Sequence, residues 1–167
     1  MKRGFTLIEM LVYVAVLSIL VLVISSFVLW AIRSNTKAKA MRETLDNARR
    51  AMEIMTYEIK EAESIYTPIA TSSQISLETI KYLPNGETTT YIDFYLCDTR
   101  LCLKKESQDP IALTSERVEV NNLIFTQVAT TSPSVQINLK VDYKNPANRP
   151  EYQASVDLTS TVSLRSY

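Results

Sequence analysis

The 167-residue chain contains no histidine and only two glycines, Gly4 and Gly86. Lack of histidine removes the commonest general base and the commonest metal ligand. Two isolated glycines cannot build a glycine-rich loop that cradles phosphate. Neither sign of charge is in excess: 18 Lys and Arg balance 18 Asp and Glu, so no overall field recruits nucleic acid or an acidic surface. Cysteine is scarce as well. Cys97 and Cys102 are the only pair, and their spacing does not fit a zinc knuckle. With no nucleophile–base pair and no metal cluster in the pattern, the chain reads as not an enzyme, with no cofactor and no metal.

What the sequence does have is a long apolar run at its start. From Met10 to Ile32, 23 consecutive residues carry no formal charge. At about 1.5 Å per helical residue the run covers roughly 35 Å, enough for a bilayer core of about 30 Å. It exceeds the apolar core of a secretory signal peptide, and "LWAIRSN" after it offers no small-x-small cleavage pattern. The single tryptophan, Trp30, falls near the end of the run, where an indole suits the membrane interface. A membrane anchor explains all of this except Glu9. A carboxylate in such a segment costs about 2.5–3.5 kcal/mol on insertion scales, so it calls for a partner or a role.

Beyond Arg33 the pattern turns amphipathic. Met41, Leu45, Ala48, Met52, Met55, Ile59, Ala62 and Tyr66 recur at alternating steps of four and three, with charged residues on the other faces. No proline or glycine interrupts Phe5 to Thr67, and Pro68 ends the run. This predicts one helix of about 60 residues, roughly 90 Å long. Its seam either forms a coiled-coil dimer or is the stripe on which the chain's own sheet packs.

After Pro68 the period changes to two. "QISLETIKYL" (74–83) and "TTTYIDFYL" (88–96) flank "PNGE", predicting a hairpin around Asn85-Gly86. "RVEVNNLIFTQV" (117–128) predicts a further strand. So do Val135, Ile137, Leu139, Val141 and Tyr143, and then Tyr152, Ala154, Val156 and Leu158 continuing to Val162 and Leu164, with the proline-broken loop "KNPANRPE" between them. Each strand has one apolar and one polar face. The fold class is α+β, a very long N-terminal helix followed by an antiparallel β domain of six or seven strands.

The opening "KRGFTLIE" and the apolar helix after it resemble the class III leader of the type IV pilin and type II secretion pseudopilin superfamily. The resemblance implies cleavage between Gly4 and Phe5 by a prepilin peptidase and N-methylation of Phe5. It implies that Glu9 acts in assembly, pairing with the amino terminus of a neighbouring subunit and setting axial register. The domains that follow are a cleaved leader at 1–4, a membrane and filament-core helix at 5–32, its amphipathic continuation at 33–67 and the β domain at 68–167. Lys2 and Arg3 hold the leader on the cytoplasmic side, and Gly4 lets a peptidase approach the backbone. Many pilins break the apolar half of this helix with proline or glycine; this chain has neither there, which leaves open whether its helix melts locally on extraction from the membrane.

Three later segments, "NARRAMEIMTYEIKEAESI", "LIFTQV" and "DLTSTVSLRSY", are similar to J-type minor pseudopilins and PilW-type minor pilins. Retention of Glu9 departs from the K-type tip pseudopilin. Asp93, Asp98 and Asp109 are scattered and do not resemble the calcium site of major pseudopilins. In an exported domain, two strands meeting around "DTRL" would oppose Cys97 and Cys102 as a disulfide candidate, the other reading being a pair of reduced thiols. The resemblance implies a structural subunit that helps initiate or cap a pilus or pseudopilus. Its partners would be other pilin or pseudopilin subunits, the prepilin peptidase, an inner-membrane assembly platform and the membrane. The location would be a single pass through the inner membrane, with the N-terminus cytoplasmic and the domain outside. A ligand-binding minor pilin for DNA uptake or adhesion is the alternative. DNA would want a basic stripe, whereas the β domain offers scattered Lys and Arg, so nucleic acid is not the first reading.

Overall fold

The computed structural model describes residues 6–67, 71–83, 85–128 and 133–165. Gly4, Phe5 and Pro68 lie outside them. Helix α1 (Leu7–Glu61) runs unbroken through Ser25-Ser26. Residues 6–30 are all exposed, and the helix meets the rest of the chain only further along. Two hydroxyls in the apolar half bond back to their own helix: Ser18 Oγ donates to the Val14 carbonyl at 2.8 Å and Ser26 Oγ to that of Leu22 at 2.9 Å, which lowers the cost of placing them in lipid.

The helix stops six residues short of the proline signal. Ala62 turns extended, its N–H donating to the Ile59 carbonyl. Glu58, Glu61 and Glu63 crowd the negative end of the helix dipole, against Lys60 alone in the last turn. The residues that follow gain more by pairing. β1 (Ser64–Thr67) joins β3 (Ile75–Thr79), placing Ile65 against the core.

Among the described residues nine strands form two antiparallel sheets, two or three more than the alternation predicted. The first sheet has the order β1-β3-β4-β5-β6, where β4 is Thr90–Cys97, β5 is Arg100–Lys105 and β6 is Ile111–Ala112. The second has the order β2-β7-β8-β9, with β2 at Thr71–Ser72, β7 at Val118–Val128, β8 at Ser134–Tyr143 and β9 at Ser155–Ser163. The extra strands are β1, β2 and β6, all too short to show a period. Tyr152, expected in the last strand, instead lies in a 3₁₀ turn, Pro150–Tyr152. The predicted hairpin is β3–β4. Its ladder closes at Thr79–Thr90, so the connection is longer than the four-residue turn expected, with Gly86 in the left-handed region at φ +94 within it.

In β7 the apolar phase slips. Val118 and Val120 point inward, and so do Leu123 and Phe125, which strict alternation forbids. A β-bulge at Asn121 absorbs the extra residue, so that Val120 still faces Val141 and Leu123 faces Leu139. Helix and sheets share one core, in which Met55, Ile59, Phe94, Phe125, Ile137 and Leu139 are fully buried.

The helix stripe packs on the chain's own sheets, mainly on β8 and β9, but it is rotated from the predicted seam. Ala40, Thr44, Ala48, Ala51, Met55, Glu58 and Ile59 are buried, whereas Met41 stays 45% exposed and Tyr66, now in β1, 65% exposed. The larger residues Leu45 and Met52 flank a row of small ones. Small side chains let the helix backbone approach the sheet closely. A choice based on apolarity alone therefore found Ala48, Met55, Ile59 and Ala62, which are buried, but missed Ala40, Thr44 and Ala51 beside them.

Candidate functional site

The exposed half of α1 is the feature that the fold leaves for function. Thr6 is its N-cap: the Glu9 backbone N–H donates to Thr6 Oγ1, and the Thr6 N–H donates to Glu9 Oε2, both at 3.4 Å. This reciprocal pair is a capping box, and it puts a carboxylate at the positive end of the helix dipole. The spacing Thr6-x-x-Glu9 before an apolar run is its sequence signature, a signal the reading above did not use. Glu9 thus has a local role, capping its own helix, alongside any role toward a neighbour. The processing residues Gly4 and Phe5 lie outside the described residues.

Cys97 and Cys102 form a disulfide with a Cα–Cα distance of 5.9 Å. They are not directly opposite. In the β4–β5 ladder Cys97 faces Arg100 and Cys102 faces Tyr95, so the bond crosses the hairpin diagonally. Asp98, at φ +57, occupies the left-handed position of the tight turn that allows this.

The domain end of α1 is held by charge. Lys81 Nζ lies 2.8 Å from Glu61 Oε2 and donates to the Tyr57 hydroxyl at 3.3 Å, and Arg165 Nη1 reaches Glu61 Oε1 at 3.2 Å. The hydrogen bond from Lys81, together with the nearby Arg165 charge, holds the Glu61 carboxyl below its ordinary range; Glu61 in turn pushes the Lys81 ammonium above its own. One turn earlier, Glu58 is 7% exposed, and burial pushes its carboxyl up, against the pull of the Lys105 and Lys81 charges. These pairings link residues 20 or more apart, and nothing in the linear pattern announced them.

At the other end of the domain, an open cleft of about 640 Å³ lies between α1 and the 3₁₀ turn. Trp30, Arg33 and Lys37 line it from the helix, and Arg149 and Glu151 from the turn. Among the described residues no group of three or more His, Cys, Asp or Glu is placed to hold a metal ion. The scattered Asp93, Asp98 and Asp109 stay on separate elements.

No curated protein and no solved structure gives a significant match to the chain. Residues 1–30 match the family described as the prokaryotic N-terminal methylation motif. This span takes in the leader residues, the Thr6–Glu9 capping box and most of the apolar run, and supports a pilin or pseudopilin built on an N-terminal membrane helix. The head of this chain is thus a type IV pilin-like class III leader.

Proposed function

We propose that the chain is a non-enzymatic minor pilin or pseudopilin subunit that helps initiate or cap a type IV pilus or type II secretion pseudopilus. The observation that carries this reading is the exposed apolar half of α1 with Glu9 at its head. An uncovered helix of this kind suits a bilayer first and a packed bundle of like helices afterwards. The reading has prepilin peptidase cut after Gly4 on the cytoplasmic face and methylate Phe5. The domain then stands outside the inner membrane, and the assembly platform draws the helix into the filament.

In the assembled state Glu9 pairs with the Phe5 ammonium of a neighbouring subunit. Each charge lowers the cost of burying the other, and the pairing defines the axial step between subunits. Mass spectrometry of the chain from cells with active peptidase tests the first step. An N-methylated Phe5 terminus is the expected result, and an intact Met1 or Lys2 terminus overturns the assignment.

A further inference from the structure

We infer, given the membrane-anchored reading above, that the cleft between Trp30, Arg33 and Lys37 of α1 and Arg149 of the 3₁₀ turn binds the phosphate of an anionic phospholipid in the leaflet from which the helix emerges. Cytoplasmic flanks normally carry the excess of Lys and Arg. Here Arg33, Lys37, Lys39 and Arg42 follow the span on its outward side, while Lys2 and Arg3 precede it and depart with the leader. So much positive charge on the translocated flank calls for a purpose.

The fold gathers part of that charge at one depth. Trp30, Arg33 and Lys37 are three and four residues apart and share a stripe of the helix. Arg33 and Lys37 lie about 1.5 and 7.5 Å along the axis beyond Ile32. A headgroup layer is about 5–8 Å thick on each side of the hydrocarbon core, so both cations sit at phosphate level. Arg149 arrives from far along the sequence and is held in place. Asn145 Nδ2 donates to its carbonyl and Asn145 Oδ1 accepts its N–H, both at 2.9 Å. Its guanidinium lies over the Tyr152 ring at 5.3 Å, and that ring stacks on Tyr143. Arg149 is paired with Glu151, the one carboxylate among the lining residues, so Arg33 and Lys37 remain in excess there. The resulting site has an indole at the depth of the acyl chains and a cationic rim above it.

Trp30 is the only tryptophan, so its fluorescence reports on this cleft. The mature full-length chain is reconstituted in vesicles of phosphatidylcholine with a minor share of phosphatidylglycerol, with brominated acyl chains on one lipid at a time. Brominated phosphatidylglycerol is expected to quench Trp30 several-fold beyond its mole fraction. Each cation near a membrane surface strengthens anionic binding about fivefold, so Arg33→Gln with Lys37→Gln should return quenching to the mole fraction. Arg149→Gln should weaken the preference as well. Lys39→Gln with Arg42→Gln removes the same charge from other faces of the helix and should leave it intact. Quenching of the parent at the mole fraction, or equal loss in both double variants, would overturn the site while leaving the membrane anchor standing. Loss of the preference in millimolar inorganic phosphate would also overturn it, as the cleft would then take a free anion. No quenching by either lipid would overturn the site and the membrane reading together.

Discussion

Within its own chain Glu9 accepts a hydrogen bond from the Thr6 N–H, a task that glutamine performs equally well in a capping box. Pairing with a neighbour's ammonium needs the charge. Glu9→Gln and Glu9→Ala therefore separate the two roles. Glu9→Gln should keep the cap, leave cleavage and membrane insertion intact, and fail in crosslinking to partner pilins, because the buried ammonium is left unpaired. Glu9→Ala should fail in crosslinking and also fray the first turn, at a cost of about 0.3–1 kcal/mol of helix stability. If Glu9→Gln crosslinks like the parent, the acid is there for capping alone. Glu58 carries a second prediction at this scale. Its carboxyl is pushed above its ordinary value of 4.5 in the folded chain. The unfolded chain therefore releases this proton first as pH rises. Stability falls from about that value up through the folded pKa and is level beyond. Glu58→Gln should melt higher than the parent at neutral pH, and the difference should vanish in acid below the ordinary carboxylate range. Melting curves of the two chains in detergent across pH check both the sign and the window.

Among the elements, the β4–β5 hairpin and α1 show how local pattern and tertiary context divide the work. The disulfide closes a short loop, so reduction or Cys97→Ser with Cys102→Ser should cost about 2 kcal/mol in the chain-entropy model. Denaturant unfolding with and without reductant measures it, and no change in midpoint would show that the turn around Asp98 holds the hairpin unaided. Along α1 the helical period and the lack of breakers were legible, because they depend on residues three and four apart. The termination at Glu61 and the full buried row were not. The first depends on β1 finding β3 as a partner, and the second on a sheet surface contributed by β8 and β9, far along the chain. The phase slip of β7 could be read as a fault in alternation, but only the pairing with β8 shows that Asn121 takes the bulge.

The molecule as a whole is divided along one helix. The half up to Trp30 is exposed along its whole described length and meets the domain only where Trp30 borders the cleft, and the half from Ala40 onward is part of its core. Changes in the two halves should therefore have separate consequences. Met55→Ala, at a fully buried position, should cost the domain about 2–5 kcal/mol. Val21→Ala, in the exposed half, should leave domain unfolding within about 0.5 kcal/mol of the parent and register instead in membrane retention or subunit association. Unfolding of both variants in the same detergent, followed by near-ultraviolet dichroism of the domain tyrosines, makes the comparison. Equal destabilisation by both would mean that the exposed half is coupled to the domain core.

By itself the sequence determined the membrane-length apolar helix, the leader at its head, the α+β order and most of the long strands. Each of these is encoded by neighbours within a turn of helix or a few residues of strand, where local periodicity and charge act directly. The tertiary structure alone decided the sheet count, the helix face that is buried, the diagonal path of the disulfide, the charge clamp on Glu61 and the seating of Arg149 beside Trp30. All but the disulfide path, which spans a separation of 5, join residues distant in the chain. Burial of a shared core brings them together, and shape and desolvation, which no local window contains, choose among the contacts that result.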